Sequence, residues 1–248
     1  MSQELLVLNN EGVLLLQQNN FQGAMSCFSR ALYLSSETTA VSPTGGNNET
    51  LSSSNGDDMM VAGIPLLVTD EPARDVSPEH FVLYDRAFAF TSDSYQESDS
   101  GKELKVASVI LYNLALAYHL LGLATGSKQD ERAKNFQAAI RCYRCSLNMI
   151  RDSSSGTDSD IDHGEAFSFL LSLACLNNLS HVFSRHGRLA DAQVCRTMLD
   201  CLLDSMTTAA TTQAAQPSHP LAEEDFVFFY LGQFYRSHGF VPSAAAAA

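Results

Sequence analysis

Apolar residues recur along much of this chain at the three- and four-residue steps that place side chains on one face of an α-helix. The clearest stretch is Leu176–Cys195, where the pattern breaks at His186-Gly187 and then resumes. We therefore predict two helices folded back on each other. The apolar positions are Leu176, Leu179 and Phe183 in the first helix, and Leu189, Ala192 and Cys195 in the second.

The same spacing occurs in two further stretches, residues 8–34 and 112–150. In the first of them Gly12 is the small residue of the leading helix and Asn19 makes the turn. Small residues at such places, including Ser180 and Ala192 in the clearest stretch, let two helices approach closely. The second helices carry Phe21, Ala24, Phe28 and Ala31 in residues 8–34, and Phe136, Ala139, Tyr143 and Ser146 in residues 112–150.

The three stretches together resemble the tetratricopeptide repeat (TPR), a helix-turn-helix of about 34 residues. The chain departs from the family pattern at Glu11, where the family has Leu, at Arg196, where it has an aromatic residue, and at Ser36, where it has Pro. The resemblance implies a mainly α fold, in which three TPR-like antiparallel hairpins form a short curved array.

We predict a single domain, 1–248, in which polar segments interrupt the hairpins. These segments are rich in Ser, Thr, Gly, Asn and Asp, and they contain too few apolar residues to form a core, so we expect them to be flexible. The predicted hairpins are 2–35, 102–151 and 164–206, the insertions 36–58, 91–101 and 152–162, and the linker 207–220.

Three short apolar or aromatic runs lie outside the hairpins. Residues 65–69 predict a strand, and residues 80–90 favour a strand over a helix. Residues 225–236 are rich in aromatic residues, which favours a strand, although they also fit the first helix of a fourth repeat. The insertions and the C-terminal segment can therefore add a small antiparallel sheet to the helices.

Charge and cysteine usage narrow the class of protein. The net charge of −13 argues against nucleic acid, because that affinity depends on Lys and Arg at the phosphates. No secretory signal opens the sequence, and no apolar run approaches the length of a membrane span. All six cysteines lie in helical patterns, which favours a reducing compartment, the cytoplasm, with the nucleus left open.

Motifs for catalysis or metal binding are incomplete. Cys142 and Cys145 have the spacing of a redox or zinc pair, but no second pair accompanies them. The run 158–162 alternates Asp as a calcium loop does, yet Phe169 stands where the bidentate Glu belongs. We therefore expect no catalytic site, metal or other cofactor.

One polar pattern points to binding. Asn10, Asn113 and Asn178 lie at the same place in the three repeats, and the resemblance implies that this place faces the concave groove. A carboxamide both donates and accepts, so it can pair with the backbone of an extended peptide. We expect these amides to be solvated in the free protein; the alternative is that they cap or brace neighbouring helices. Asn177 and His181 complete the predicted partner-binding set.

The resulting expectation is a non-catalytic adaptor that binds a peptide or helix of another protein in its groove. Nucleic acid, a membrane and a small molecule are not expected partners. The first alternative is a structural subunit of a larger assembly, which would expose apolar patches when isolated. A more remote alternative is an enzyme that uses the thiol of Cys142 or the imidazole of His181.

Overall fold

The computed structural model describes residues 3–40, 61–66, 83–91, 100–125, 128–153, 163–212, 224–225 and 227–230. These residues form a mainly helical protein with a small two-stranded antiparallel sheet, which confirms the predicted fold class. The helices are α1 (Gln3–Gln17), α2 (Phe21–Ala40), α3 (Ser100–Ala124), α4 (Gln129–Ser153), α5 (His163–Arg185) and α6 (Leu189–Thr212), and the strands are β1 (Val61–Pro65) and β2 (Arg86–Phe90).

The turn between α1 and α2 and the turn between α5 and α6 have the same backbone conformation. Asn19 after α1 and Gly187 after α5 have φ angles of 57° and 74°, the left-handed conformation that ends many helices. The next residue then reaches back into the helix: Asn20 N–H donates to the carbonyl of Leu15 at 2.9 Å, and Arg188 N–H to that of Phe183 at 2.8 Å. Both predicted turns are confirmed.

The structure divides into two units, Met1–Thr69 with Asp85–Leu171 and Asp70–Tyr84 with Ser172–Ala248. In the first unit α1 packs against α2, α2 against α3, and α3 against α4. A methyl group built on Gly12 would overlap the ring of Phe28, which is fully buried. The small residue predicted there is required by this close approach.

The second unit contains the end of α5 and all of α6. Ser180 Oγ donates to the carbonyl oxygen of Ala192 at 3.2 Å, and Ala192 is only 1% exposed. The guanidinium of Arg188 lies 4.6 Å from the centre of the Phe183 ring and covers the turn. The predicted close contact between the two small residues is therefore confirmed.

The sheet pairs β1 with β2, with Val61 opposite Phe90 and Gly63 opposite Phe88. The strand predicted at 65–69 is thus displaced, since β1 ends at Pro65, a residue without the N–H that would continue a ladder. Residues 67–69 lie outside the described part. The strand predicted at 80–90 is confirmed for residues 86–90, and residues 80–82 lie outside the described part.

Of the two forms predicted for the C-terminal segment, the favoured strand is wrong and the helix is correct where the structure describes it. Residues 224–225 and 227–230 are helical. The consecutive rings of Phe228 and Phe229 both contact Tyr84, with centroid distances of 5.2 and 5.0 Å. Consecutive side chains of a strand point to opposite faces, so this shared contact requires another backbone form. Residues 231–236 lie outside the described part.

Several helices run past their predicted ends. α2 continues to Ala40, α4 to Ser153 and α6 to Thr212, and α3 begins at Ser100. The predicted insertions and linker are shortened accordingly, because each residue added to an existing helix adds a backbone hydrogen bond. The remainders of those segments, 41–58, 92–99, 154–162 and 213–220, lie outside the described residues.

Within the described residues, two helices are long and apolar enough, by length and composition, to cross a membrane: Glu103–Ala124 of α3 and Phe167–Arg185 of α5. The expectation that no apolar run reaches this length was wrong. In each helix 78% of the apolar window is buried inside the structure. Buried core helices have the same composition, so this finding is weak evidence for a membrane.

Candidate functional site: asparagines that hold a strand

In the first unit, two of the predicted asparagines hold alternate residues of β2 by their backbone groups. Phe88 N–H donates to Asn113 Oδ1 at 2.9 Å, and Asn113 Nδ2 donates to the Phe88 carbonyl at 2.8 Å. Phe90 N–H donates to Asn10 Oδ1 at 2.9 Å, and Asn10 Nδ2 donates to the Phe90 carbonyl at 2.7 Å. Each carboxamide therefore pairs with both the N–H and the carbonyl group of one residue of β2.

The third asparagine makes the same pairing in the second unit. Tyr84 N–H donates to Asn178 Oδ1 at 2.9 Å, and Asn178 Nδ2 donates to the Tyr84 carbonyl at 3.0 Å. Tyr84 is 1% exposed, and its hydroxyl donates to Asp225 Oδ1 at 2.7 Å. The three predicted asparagines thus make one type of contact, each with the backbone of a residue of the same chain: a residue of β2 for Asn10 and Asn113, and Tyr84 for Asn178.

Two further side chains of the first unit join this arrangement. Asn9 Nδ2 donates to the Phe88 carbonyl at 3.0 Å, and Asn9 Oδ1 accepts from Asn113 Nδ2 at 2.9 Å. The hydroxyl of Tyr112 donates to the carbonyl of Arg86 at 3.1 Å. Sequence reasoning missed both residues in this function. The doublet Asn9-Asn10, which recurs as Asn177-Asn178, was the available signal.

The bonded residues alternate because a strand directs successive backbone groups to opposite edges. The backbone groups of Phe88 face the asparagines, so the neighbouring residues Ala87 and Ala89 face β1. In keeping with this register, Leu66 N–H donates to the carbonyl of Asp85 at 2.9 Å. β2 is therefore held along both edges, by a strand on one side and by side chains of α1 and α3 on the other.

Two of the three asparagines are not solvated, contrary to expectation. Asn113 and Asn178 are both fully buried, whereas Asn10 is half-buried. The bracing alternative applies in part, since the bond between Asn113 and Asn9 joins α3 to α1. Their principal partner is nevertheless a strand backbone, as expected of a peptide-holding carboxamide.

Aromatic packing fixes the strand where the asparagines hold it. In the first unit the Phe88 ring lies 5.0 Å from the Tyr112 ring and 5.5 Å from the Phe167 ring, centre to centre. The backbone is thus recognised by amides and the side chains by a buried aromatic cluster.

Burial raises the pKa of the Asp85 carboxyl, while its own backbone N–H and Arg86 act in the opposite direction.

The other two predicted partner-binding residues are also buried. Asn177 is 4% exposed and donates through Nδ2 to Asn178 Oδ1 at 3.3 Å. His181 is 2% exposed. Their contact with a partner, like that of the three asparagines, stays a prediction.

The remaining candidate chemistry is sparse. Burial raises the pKa of the Cys142 thiol to about 11, with a contribution from Cys145 and an opposing one from Arg141. Among the residues that the structure describes, no three His, Cys, Asp or Glu side chains are arranged to hold a metal ion. The run 158–162 lies outside them.

Comparison of the chain with protein-family models, with curated proteins and with solved structures found no significant match. The geometry of the described residues is therefore the basis for the functional proposal.

Proposed function

We propose that the protein is a non-catalytic protein–protein interaction module built from TPR-like helix pairs. In this proposal the asparagines fix β2 by its backbone, and the helices and the small sheet present the surfaces that another protein contacts. The observation that carries the proposal is the two-way pairing of Asn113 with Phe88, which fixes an extended segment of this chain, and with it the small sheet, on the helices.

The internal strand is costly to replace. Phe88 and Phe90 of β2 are each at most 4% exposed, and burying such a side chain contributes about 1.5–3 kcal/mol. The total stability of a domain is only about 5–15 kcal/mol. An external peptide that displaced the strand would have to replace a large part of this free energy. The proposal therefore assigns the asparagines to holding β2 and places partner contacts elsewhere.

A specific observation supports a second candidate, a structural subunit of a larger assembly. Large apolar side chains are exposed on α1, where Val7 and Leu14 are each 57% exposed one above the other. Further examples lie on α6, including Val194 at 60% and Met198 at 51%. Such side chains suit a permanent interface, although single exposed apolar residues are also common on monomers.

The enzymatic alternative has less support. A thiol acts as a nucleophile only as thiolate, and a pKa of about 11 leaves Cys142 protonated at neutral pH. His181 is buried, which limits access of a substrate. Both observations favour a binding function over thiol or histidine chemistry.

Two measurements test the proposal. The purified full chain is first examined by sedimentation: a monodisperse species that retains a partner from cell extract supports the module, and insolubility without a partner supports the subunit. A labelled synthetic peptide with the sequence of residues 83–91 is then titrated against the chain. We expect no saturable binding, because the tethered strand has a far higher effective concentration. Saturable binding would show that the asparagines accept an external peptide.

A further inference from the structure

The exposed face of α4 carries a concentration of positive charge. The stretch 132–151, which is most of this helix, contains five of the chain's 15 Lys and Arg and no Asp or Glu. Its buried residues pack against α3, where the rings of Tyr143 and Tyr112 lie 5.6 Å apart, centre to centre. Four exposed side chains on the other side form what we call the basic face of α4: Lys134, Arg141, Arg144 and Arg151.

The residues of the basic face repeat along the helix at one spacing. Lys134 and Arg141 are seven residues apart, and so are Arg144 and Arg151. Seven residues make almost two full turns of an α-helix, so each pair forms a row nearly parallel to the axis, with about 10 Å between its members. A segment that pairs with both members of a row must therefore present its opposite charges about 10 Å apart along one side.

Two cations of the basic face lack an acidic partner in the described part of the chain. Lys134 and Arg141 form no ion pair there. By contrast, Arg30, an exposed cation of α2, is paired with Glu4 of α1 at 2.6 Å. The basic face therefore has positive charge that the described residues do not neutralise.

We propose that the basic face of α4 binds an acidic α-helix of another protein, whose carboxylates repeat every seven residues along one side. Such a helix places its carboxylates at the same interval as the cations, about 10 Å. An extended strand does not, because its side chains on one side recur at intervals of about 7 Å. The inference rests on the proposed function, because it names the partner of an interaction module.

Charge selects this occupant over others. The chain has a net charge of −13, so a nucleic acid or an anionic membrane, whose negative charge extends over a wide area, is repelled by the surroundings of the basic face. A second copy of the chain has the same net charge. Among the described helices only α1 has two acidic residues seven apart, Glu4 and Glu11, and Glu4 is already paired with Arg30. A short acidic helix instead brings a few carboxylates that the basic face alone can pair.

The test uses the purified full chain and a synthetic helical peptide, three repeats of Glu-Ala-Ala-Glu-Ala-Gln-Gln with blocked ends. Its Glu residues form two rows on one side, as the cations of α4 do. One control peptide has Gln in place of every Glu, and another has the same composition with the Glu residues spread around the helix. In titrations we expect the Glu peptide to bind, the Gln peptide not to bind, and the rearranged peptide to bind at least about fivefold more weakly. Added salt should weaken binding, because the paired groups are exposed.

Thiol reactivity shows where the peptide binds. Cys145 lies one turn after Arg141 and is exposed, and Cys201 of α6 is also exposed. We expect the bound Glu peptide to cover Cys145 and slow its alkylation, measured by mass spectrometry. The alkylation of Cys201 should stay unchanged and serves as the internal control.

Substitutions at exposed positions test the charges directly. Lys134→Gln and Arg141→Gln each remove one cation, and we expect each to weaken binding by about threefold and the double variant by about tenfold. Arg30→Gln on α2 is the matched control, because it also removes an exposed cation but lies outside the basic face. This control should bind the peptide as the parent does.

The proposal is overturned if the Glu peptide does not bind, if the rearranged peptide binds equally well, or if the alkylation of Cys145 is unaffected. A duplex RNA that binds more tightly than the Glu peptide would assign the basic face to nucleic acid. Self-association that is lost in Arg141→Gln would assign it to a second copy, and either result also overturns the proposal. Should a variant fail to fold, the alkylation pattern of the parent still decides the question. None of these results alters the test for a retained partner, so failure here leaves the proposed interaction function separately testable.

Discussion

Asn113 takes the place of a neighbouring strand for Phe88. Its Oδ1 and Nδ2 lie 2.9 and 2.8 Å from the backbone N and O of Phe88, and all of these groups are buried. A buried peptide group without partners is costly, so a side chain that satisfies both of its halves contributes to stability whether or not any other protein is bound.

Replacing this side chain should therefore destabilise the free protein. Asn113→Ala leaves Phe88 N–H without its acceptor in a site closed to water, and each unsatisfied buried group costs about 1–3 kcal/mol. We expect the free energy of unfolding to fall by at least about 2 kcal/mol, measured by urea denaturation. Asn148→Ala, at an exposed position of α4, is the control and should change it by less than about 0.5 kcal/mol. Equal stability of the two variants would mean that the pairing does not stabilise the fold.

The contact between α5 and α6 makes a second prediction. Ala192 is 1% exposed and its carbonyl accepts from Ser180, so a larger side chain at this position has no room. Ala192→Leu should lower stability by about 1–3 kcal/mol through overpacking. Ala190→Leu, two residues earlier on the exposed side of the same helix, is the matched control. Thermal melts of both variants give the comparison, and similar midpoints would contradict the predicted helix contact.

Tyr84 carries a third prediction through its hydroxyl. In Tyr84→Phe the ring stays against Phe229 but the 2.7 Å bond to Asp225 is lost. Removing one partner of a buried hydrogen bond costs about 1–3 kcal/mol, and we expect a loss of that order in urea denaturation. Tyr33→Phe alters a ring that is 62% exposed and should have little effect. A loss of the same size in both variants would exclude the buried bond as its cause.

The buried thiol of Cys142 predicts a dependence on pH. Its pKa is raised from 9.0 to about 11 in the folded state, so the unfolded chain loses this proton first as the pH rises. The associated stability is fully present below pH 9 and is lost as the pH rises through about 11. Over that range we expect the urea midpoint of the parent to fall more steeply than that of Cys142→Ser. A Cys201→Ser control, at an exposed position of α6, should follow the parent. Parallel curves for all three proteins would contradict the assignment.

How far the sequence predicts this structure depends on how local each feature is. Asn19 and Gly187 end their helices through bonds that span a few residues, and their turns could be predicted from the sequence. The residues that the asparagines bind could not be predicted from the sequence. Asn9 contacts Phe88, which is 79 residues away in the sequence, and Asn178 contacts Tyr84, which is 94 residues away. The residues around Phe229 have high strand propensity, yet packing against Tyr84 selects a helix there. Propensity describes a segment alone, whereas these contacts depend on distant partners.

The long sequence separation of the contacts of Tyr84 also has a consequence for the order of folding. The helix pairs are joined by short turns and can form while their residues are still being synthesised, but Tyr84 has no complete environment until residues 178 and 229 exist. Contacts between distant residues form slowly, since the loop between them must close first. We therefore expect Tyr84 to reach its native contacts late, and pulse-labelled hydrogen exchange should show its amide gaining protection after those of α3. Earlier protection of this amide would reverse this order.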